Sequence, residues 1–155
     1  LIGTEPFAVL LADDFIIHDE GDGTTADLVS SYQITGKSQV SCQKVSGLDI
    51  SKYGVLKLDP SSNEVVGIAE KPSLENAPSN LAAIGRYVLS PEIFQELKKI
   101  RPDSGGEIQL SDALNEQAIK GKLETVEISG NRFDCGTSDG YLEAILHSAK
   151  LIGKL

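Results

Sequence analysis

Two adjacent carboxylates, Asp13 and Asp14, stand at the end of the apolar run FAVLLA at residues 7–12. A short all-apolar run reads as a strand whose sheet is covered by helices on both faces. In open parallel sheets the ligand crevice lies beyond the carboxyl ends of the strands, so an acidic pair there is placed where chemistry happens. Hard oxygen ligands of this kind suit Mg²⁺, which takes one or two carboxylates together with substrate phosphates. A polar turn, with Asp14 capping the next element, fits the same residues. Two further motifs join charge to turn geometry. In Glu70-Lys71-Pro72, at a strand end, the carboxylate can accept from sugar hydroxyls and the ammonium can neutralise a phosphate; the alternative is a solvated pair on an edge strand. In Phe133-Asp134-Cys135-Gly136-Thr137, immediately before a helical pattern, Asp134 either completes a metal site with Asp13 or organises the turn.

The elements that must position these groups alternate between strand and helix. Residues 15–23 (FIIHDEGDG) read as a loop, with His18 beside Asp19 exposed in it. Residues 24–34 read as a helix capped by Thr24 or Thr25, with Leu28 and Tyr32 on one face and Gly36 as its stop. Residues 39–45 form a β-rich stretch, and 48–53 a turn or single helical turn. Residues 54–58 and 64–70 flank the turn DPSSN, giving a hairpin-like unit. After the loop at 73–80, LAAIGRYVL at 81–89 is a second apolar run and hence a buried strand. Ser90 and Pro91 suit the N-cap and first position of a helix with a stripe of Ile93, Phe94, Leu97 and Ile100. A loop at 101–106, a helix at 108–119, a strand at 123–128, a strand-to-turn passage at 131–136 and a helix at 138–152 complete the chain. Tyr141, Ile145, Ala149 and Ile152 share one face of that last helix. The pattern predicts an α/β fold with a mixed sheet and no internal repeat.

Composition narrows the partners. The 155 residues are 40% hydrophobic and carry a formal net charge of −9, with a mean hydropathy of −0.09. That charge argues against nucleic-acid backbones and anionic membranes, and no run approaches the ~20 apolar residues of a membrane helix. A phosphorylated small ligand remains compatible, since it needs only local cations and a metal. Cys42 and Cys135, far apart in a chain with no visible secretory signal, read as reduced cytoplasmic thiols. The sequence holds no methionine and begins at Leu1. With a central-type strand as the first element, this suggests the carboxy-terminal portion of a single, larger domain.

Taken together, LLADD, SKYG, EKP, SNLAAIGRYVLSPEIF, GGEIQLSDAL and RFDCGTSDGYLEA resemble the bacterial UTP–glucose-1-phosphate uridylyltransferases, or UDP-glucose pyrophosphorylases, nearly end to end. The resemblance implies a Rossmann-like nucleotide-diphospho-sugar transferase fold. It also implies a cytoplasmic enzyme in which glucose 1-phosphate attacks the α-phosphorus of UTP and releases pyrophosphate. Carried over residue by residue, it makes Asp13 and Asp134 the Mg²⁺ ligands. Tyr53 and Gly54 then line the sugar pocket, Glu70 holds sugar hydroxyls and Lys71 contacts the sugar phosphate. Ala83 and Tyr87 fall at pocket-wall positions and Glu107 near the sugar-phosphate side. A homo-oligomer, dimer or tetramer, is expected of the full-length protein. Ala12 stands where the family commonly has proline. The family's amino-terminal glycine-rich loop, with its arginine and downstream lysine, is not among these residues. Gly105-Gly106 is no substitute, lacking the strand-loop-helix context and the cation. Little or no turnover is therefore expected from these residues alone. Rival readings are a metal-dependent glycosyltransferase of the GT-A type and a non-catalytic sugar-phosphate-binding module.

Overall fold

Leu81–Leu89 (β6) is the longest strand and the one on which the others assemble. The computed structural model, which describes residues 2–18, 20–102 and 105–154, pairs one edge of it antiparallel with β3 (Ser38–Lys44). The other edge is shared. Ala82 near its start pairs with Val55 of β4 (Gly54–Leu58), and its last four residues pair with β1 (Phe7–Leu10). β5 (Val65–Glu70) closes a hairpin onto β4, while β7 (Leu123–Glu127) runs parallel to β3. The result is a mixed six-stranded sheet in the order β5-β4-β6-β3-β7, with β1 beside β6. A separate two-stranded ribbon pairs β2 (Asp14–Ile17) with β8 (Asn131–Asp134), setting Asp14 opposite Asp134.

Both faces of the sheet are covered. Val40, Leu56, Val65, Tyr87, Leu89 and Leu123 form one core with Ile93 of α2 (Ile93–Leu97) and Ala113, Leu114 and Ala118 of α3 (Leu110–Ile119). Alternation along β6 sends Ala82, Ile84 and Val88 to the other face, where α1 (Thr24–Thr35) packs with its buried Leu28. The last helix, α4 (Ser138–Leu151), lies against β8. Thr137 caps α4 by accepting from the Gly140 N–H at 3.1 Å. Gly36 ends α1 in the left-handed conformation that glycine adopts without strain. Among the described residues no helix is long and apolar enough to cross a membrane.

Several expectations are revised. FAVLLA is not covered on both faces: β1 stops at Leu10, and Leu10 and Leu11 are 54% and 44% exposed. Within the described chain β1 pairs with β6 alone, so Phe7 and Val9 reach the core while Ala8 and Leu10 face out. The strand buried throughout its first five residues is the more polar β3. Its buried Ser41 donates to the carbonyls of Ile84 and Arg86, filling a bulge where the β3–β6 register shifts. Residues 14–17 are a strand rather than the start of a loop, because a distant segment pairs with them. The first turn of α1 is capped neither by Thr24 nor by Thr25. Gly23 stands at the cap position, and the His18 ring nitrogen Nε2 accepts from the Thr24 N–H at 3.0 Å, so His18 is a capping group and not an exposed loop side chain. The face of α4 bearing Tyr141, Ile145 and Ile152 is exposed, and only Gly140 and Ala144 of that helix are buried. Asp19, Asp103 and Ser104, parts of two expected loops, lie outside the described residues.

Candidate active site

The local fold of residues 11–14 separates the two adjacent aspartates. The Leu11 N–H donates to the Gly85 carbonyl at 2.8 Å, and the Gly85 N–H donates back to Asp14 Oδ2 at 2.8 Å. Ala12 and Asp13 are thereby held at the tip of a tight turn. Gly85 has to be glycine for this, since a Cβ there would fall 2.5 Å from Asp14 Oδ2 and 2.6 Å from Leu11 Cβ. Asp13 belongs to the turn, whereas Asp14 is the first residue of β2. Asp14 accordingly turns inward and is 7% exposed, while Asp13 stays at the surface.

Asp14 is bound on its other oxygen by Arg132, whose Nε donates to Oδ1 in a short ion pair with both side chains about nine-tenths withdrawn from water. Arg132 Nη1 donates to the Tyr53 hydroxyl at 3.0 Å, and its guanidinium carbon lies 5.1 Å from the centroid of that ring. Burial opposes the arginine's charge, but the Tyr53 hydroxyl and Asp14 outweigh it and raise its pKa above the ordinary arginine value.

Asp13 and Asp134 meet at the turn after β8. The Cys135 N–H donates to the Asp13 carbonyl at 2.7 Å, locking the two turns together. A Cβ on Gly136 would sit 3.1 Å from Asp134 Oδ1 and 3.2 Å from Asp13 Oδ2, so the two carboxylates flank a common space that a side chain there would crowd. Two hard oxygen donors around such a space fit a divalent cation that completes its shell with water and substrate oxygens. Among the described residues no group of three or more His, Cys, Asp and Glu side chains is set to hold a metal by itself.

On the facing side, Gly54 pairs with Glu70 across the β4–β5 hairpin. A Cβ on Gly54 would meet Glu70 Oε2 at 3.2 Å, so the missing side chain opens the approach to that carboxylate. Lys71 follows with φ +42, the one positive value among the described non-glycine residues, and its N–H donates to the Tyr53 carbonyl at 3.0 Å. A left-handed non-glycine residue costs of order 1 kcal/mol or more and persists where its surroundings dictate it. The Lys71 side chain is 62% exposed and its Nζ lies 3.9 Å from Glu70 Oε1, a loose pair that leaves the ammonium available.

These groups line one cleft of about 470 Å³. It contains Asp13, Asp134, Tyr53, Gly54, Glu70, Lys71, Ala83 and Tyr87, all singled out from the sequence. Burial first, and then the charges of Asp14 and Glu70, push the Tyr87 hydroxyl up to about 12, keeping it a neutral donor. Glu107 is exposed and lies outside the lining; Gln109, two residues on, takes part in it. Gly85, Arg132 and Ser111 also line the cleft and were not singled out, and Asp14, marked as half of the acidic pair, lines it with its oxygens taken by Arg132 and Gly85. For Arg132 the signal was present, since it stands two residues before Asp134 and so shares its strand face. No local pattern marks Gly85, whose role depends on a turn 71 positions away.

Comparison with known proteins places this geometry. A model of the nucleotidyl transferase family matches residues 1–150. A UTP–glucose-1-phosphate uridylyltransferase of Pseudomonas aeruginosa is 45% identical over 147 residues, covering 93% of this chain and 53% of that protein. UTP–glucose-1-phosphate uridylyltransferase YngB of Bacillus subtilis is 42% identical over 146 residues, 92% of this chain and 48% of its own length. The chain thus spans about half the length of the curated relatives it matches. A crystal structure of UDP-glucose pyrophosphorylase complexed with UDP-glucose superposes with a TM-score of 0.89 at 41% identity, over 96% of this chain and 58% of that one. The apo form of a UDP-glucose pyrophosphorylase gives a TM-score of 0.90, also at 41% identity, over 96% and 56%. The α/β architecture with its mixed sheet is therefore that of these UDP-glucose pyrophosphorylases, and the chain belongs to the nucleotidyl transferase family.

Proposed function

We propose that the cleft binds glucose 1-phosphate and presents it to UTP for uridylyl transfer, giving UDP-glucose and pyrophosphate. The observation that carries this reading is the convergence, in one cleft, of a paired carboxylate turn with a recess bearing Glu70 and the lysines Lys52 and Lys71. The relatives named for this reaction and the neighbour holding UDP-glucose support the choice of substrates. Glu70 accepts from glucose hydroxyls, Gly54 gives the sugar ring close access to it, and Tyr87 donates as a neutral hydroxyl. Lys71 orients the phosphate whose oxygen attacks the α-phosphorus of UTP, the bond to the β,γ-diphosphate breaking as the new one forms. Asp13 and Asp134 would hold Mg²⁺, which when bound offsets charge on the phosphates. Apposition of two substrates contributes several kcal/mol to such a barrier without any covalent intermediate on the protein. We read the protein as cytoplasmic, in keeping with its two free cysteines, Cys42 in the core and Cys135 beside the carboxylate turn. A homo-oligomer accords with the exposed apolar residues of α4.

The test is titration of the chain with glucose 1-phosphate and with UDP-glucose, each with and without Mg²⁺, followed by amide NMR. Metal-dependent shifts at Asp13, Gly54, Glu70, Lys71 and Asp134, lost in Asp13→Asn, are expected. Shifts that are independent of metal and untouched by Asp13→Asn would remove the reading.

A further inference from the structure

We propose that Arg132 is a positioning residue that fixes the distance between the carboxylate turn and the sugar-phosphate edge of the cleft. The inference rests on the function proposed above and adds to it a residue whose own bonds go to Asp14 and Tyr53.

The cleft is built from two pieces. One wall is the β2–β8 ribbon, carrying Asp134 and the Asp13 turn; the other is the β4–β5 edge, carrying Gly54, Glu70 and Lys71. The two are separate sheets, so no backbone ladder sets their spacing. Among the described residues, the hydrogen bond from Arg132 Nη1 to the Tyr53 hydroxyl is the direct link between them, the turn's bonds at Leu11 and Asp14 going instead to Gly85 of β6. Each end of that bond is fixed further in. On the ribbon side, Arg132 Nε is held by Asp14, whose second oxygen is taken by Gly85 in the large sheet. On the edge side, the Tyr53 carbonyl accepts from the Lys71 N–H, tying the tyrosine to the lysine's left-handed backbone. A continuous line of contacts therefore runs from the aspartate pair through Arg132 and Tyr53 to Lys71.

Two features argue for placement over charge. Asp14 offsets the guanidinium, so Arg132 adds little net field to the cleft. The planar guanidinium holds two acceptors at a fixed angle, which a lysine ammonium on a flexible stem does not do. The stacking of the guanidinium near the Tyr53 ring adds a second restraint on the same pair.

The experiment uses Arg132→Lys, Tyr53→Phe and the double variant. Arg132→Lys keeps a cation for Asp14, and Tyr53→Phe keeps the ring, so each preserves a reason to fold. Amide spectra of Arg132→Lys are expected to shift at Gly54 and Lys71 as well as at Asp13 and Cys135. Mn²⁺, read by water-proton relaxation, is expected to tighten glucose 1-phosphate binding in the parent protein by about tenfold, and this coupling to fall close to unity in either variant. The double variant should lose no more coupling than either single one, because both substitutions cut the same link. Additive losses in the double variant, or amide shifts confined to β2 and β8, would overturn the proposal. A parent protein that binds neither Mn²⁺ nor glucose 1-phosphate would sink the transfer reading instead, and the amide shifts would still decide Arg132.

Discussion

In the six-stranded sheet Leu56, Val65, Ile84 and Leu89 are wholly or almost wholly withdrawn from water, whereas in the β2–β8 ribbon the only buried residue is Asp14 and Phe15 is 42% exposed. The sheet is held by apolar burial, which is non-directional and spread over many side chains. The ribbon is held by a few directional contacts: Asp14 with Arg132 and Gly85, and Cys135 with Asp13. The difference teaches which part suits the metal site proposed above. Apolar packing tolerates small shifts of its partners, while two carboxylates sharing an ion need fixed positions, and the polar contacts supply them.

Substitutions in the two regions should separate accordingly. The largest effect is expected from Asp14→Ala, which leaves Arg132 buried without its partner and frees the Gly85 N–H. Removing one member of a buried pair costs about 3–5 kcal/mol. Here the loss should fall on local opening, read as faster amide exchange in β2 and β8 with sheet amides little changed. Equal loss of protection across β3 and β6 would break the comparison. Leu56→Ala in the sheet should cost about 2–5 kcal/mol, seen as a lower denaturant midpoint with both regions unfolding together. A third effect depends on pH. Tyr87 stays neutral to about 12 in the fold, above the ordinary phenol value near 10. Its contribution is present below pH 10 and is lost as pH rises from 10 to 12, because the unfolded chain ionises first. That loss is on the order of 2–3 kcal/mol, and Tyr87→Phe should flatten this part of the alkaline stability profile. The smallest change is expected from Phe15→Ser, within about 0.5 kcal/mol by chemical denaturation. A loss several times larger would mean that the ribbon also relies on apolar burial against α4, where Phe15 lines a groove with Ala12, Tyr141 and Ile145.

What the sequence made legible was mostly local. β6, the β4–β5 hairpin and the closing helix are read from apolar runs, turn residues and helical spacing that lie within a few positions of one another. The candidate cleft residues were legible because they sit in short motifs that resemble a family, and eight of them do line one cleft. What was hidden depends on partners far along the chain. FAVLLA looks fully buried and SQVSC half-polar, yet β1 meets only β6 while β3 lies between β6 and β7. Ser38 and Ser41 are tolerated there because hydrogen bonds meet their hydroxyls, as with Ser41 and the Ile84 carbonyl, and the Gln39 Nε2 group donates to Thr35. His18 read as a loop side chain because nothing nearby reveals that Gly23 leaves the first turn of α1 without a cap.

The ribbon also has a place in time. Asp14 and Arg132 are 118 positions apart in the chain, so forming their pair closes a loop of most of its length. Closure entropy has to be met before such contacts give anything back. The β4–β5 hairpin, joined by a short turn, faces no such delay. Refolding should therefore restore the sheet before the carboxylates converge, and on unfolding the carboxylate turn should part first. During synthesis the chain cannot complete that turn until the residues around Asp134 have left the ribosome, so the proposed divalent-ion site can form only after every described strand of the large sheet has emerged.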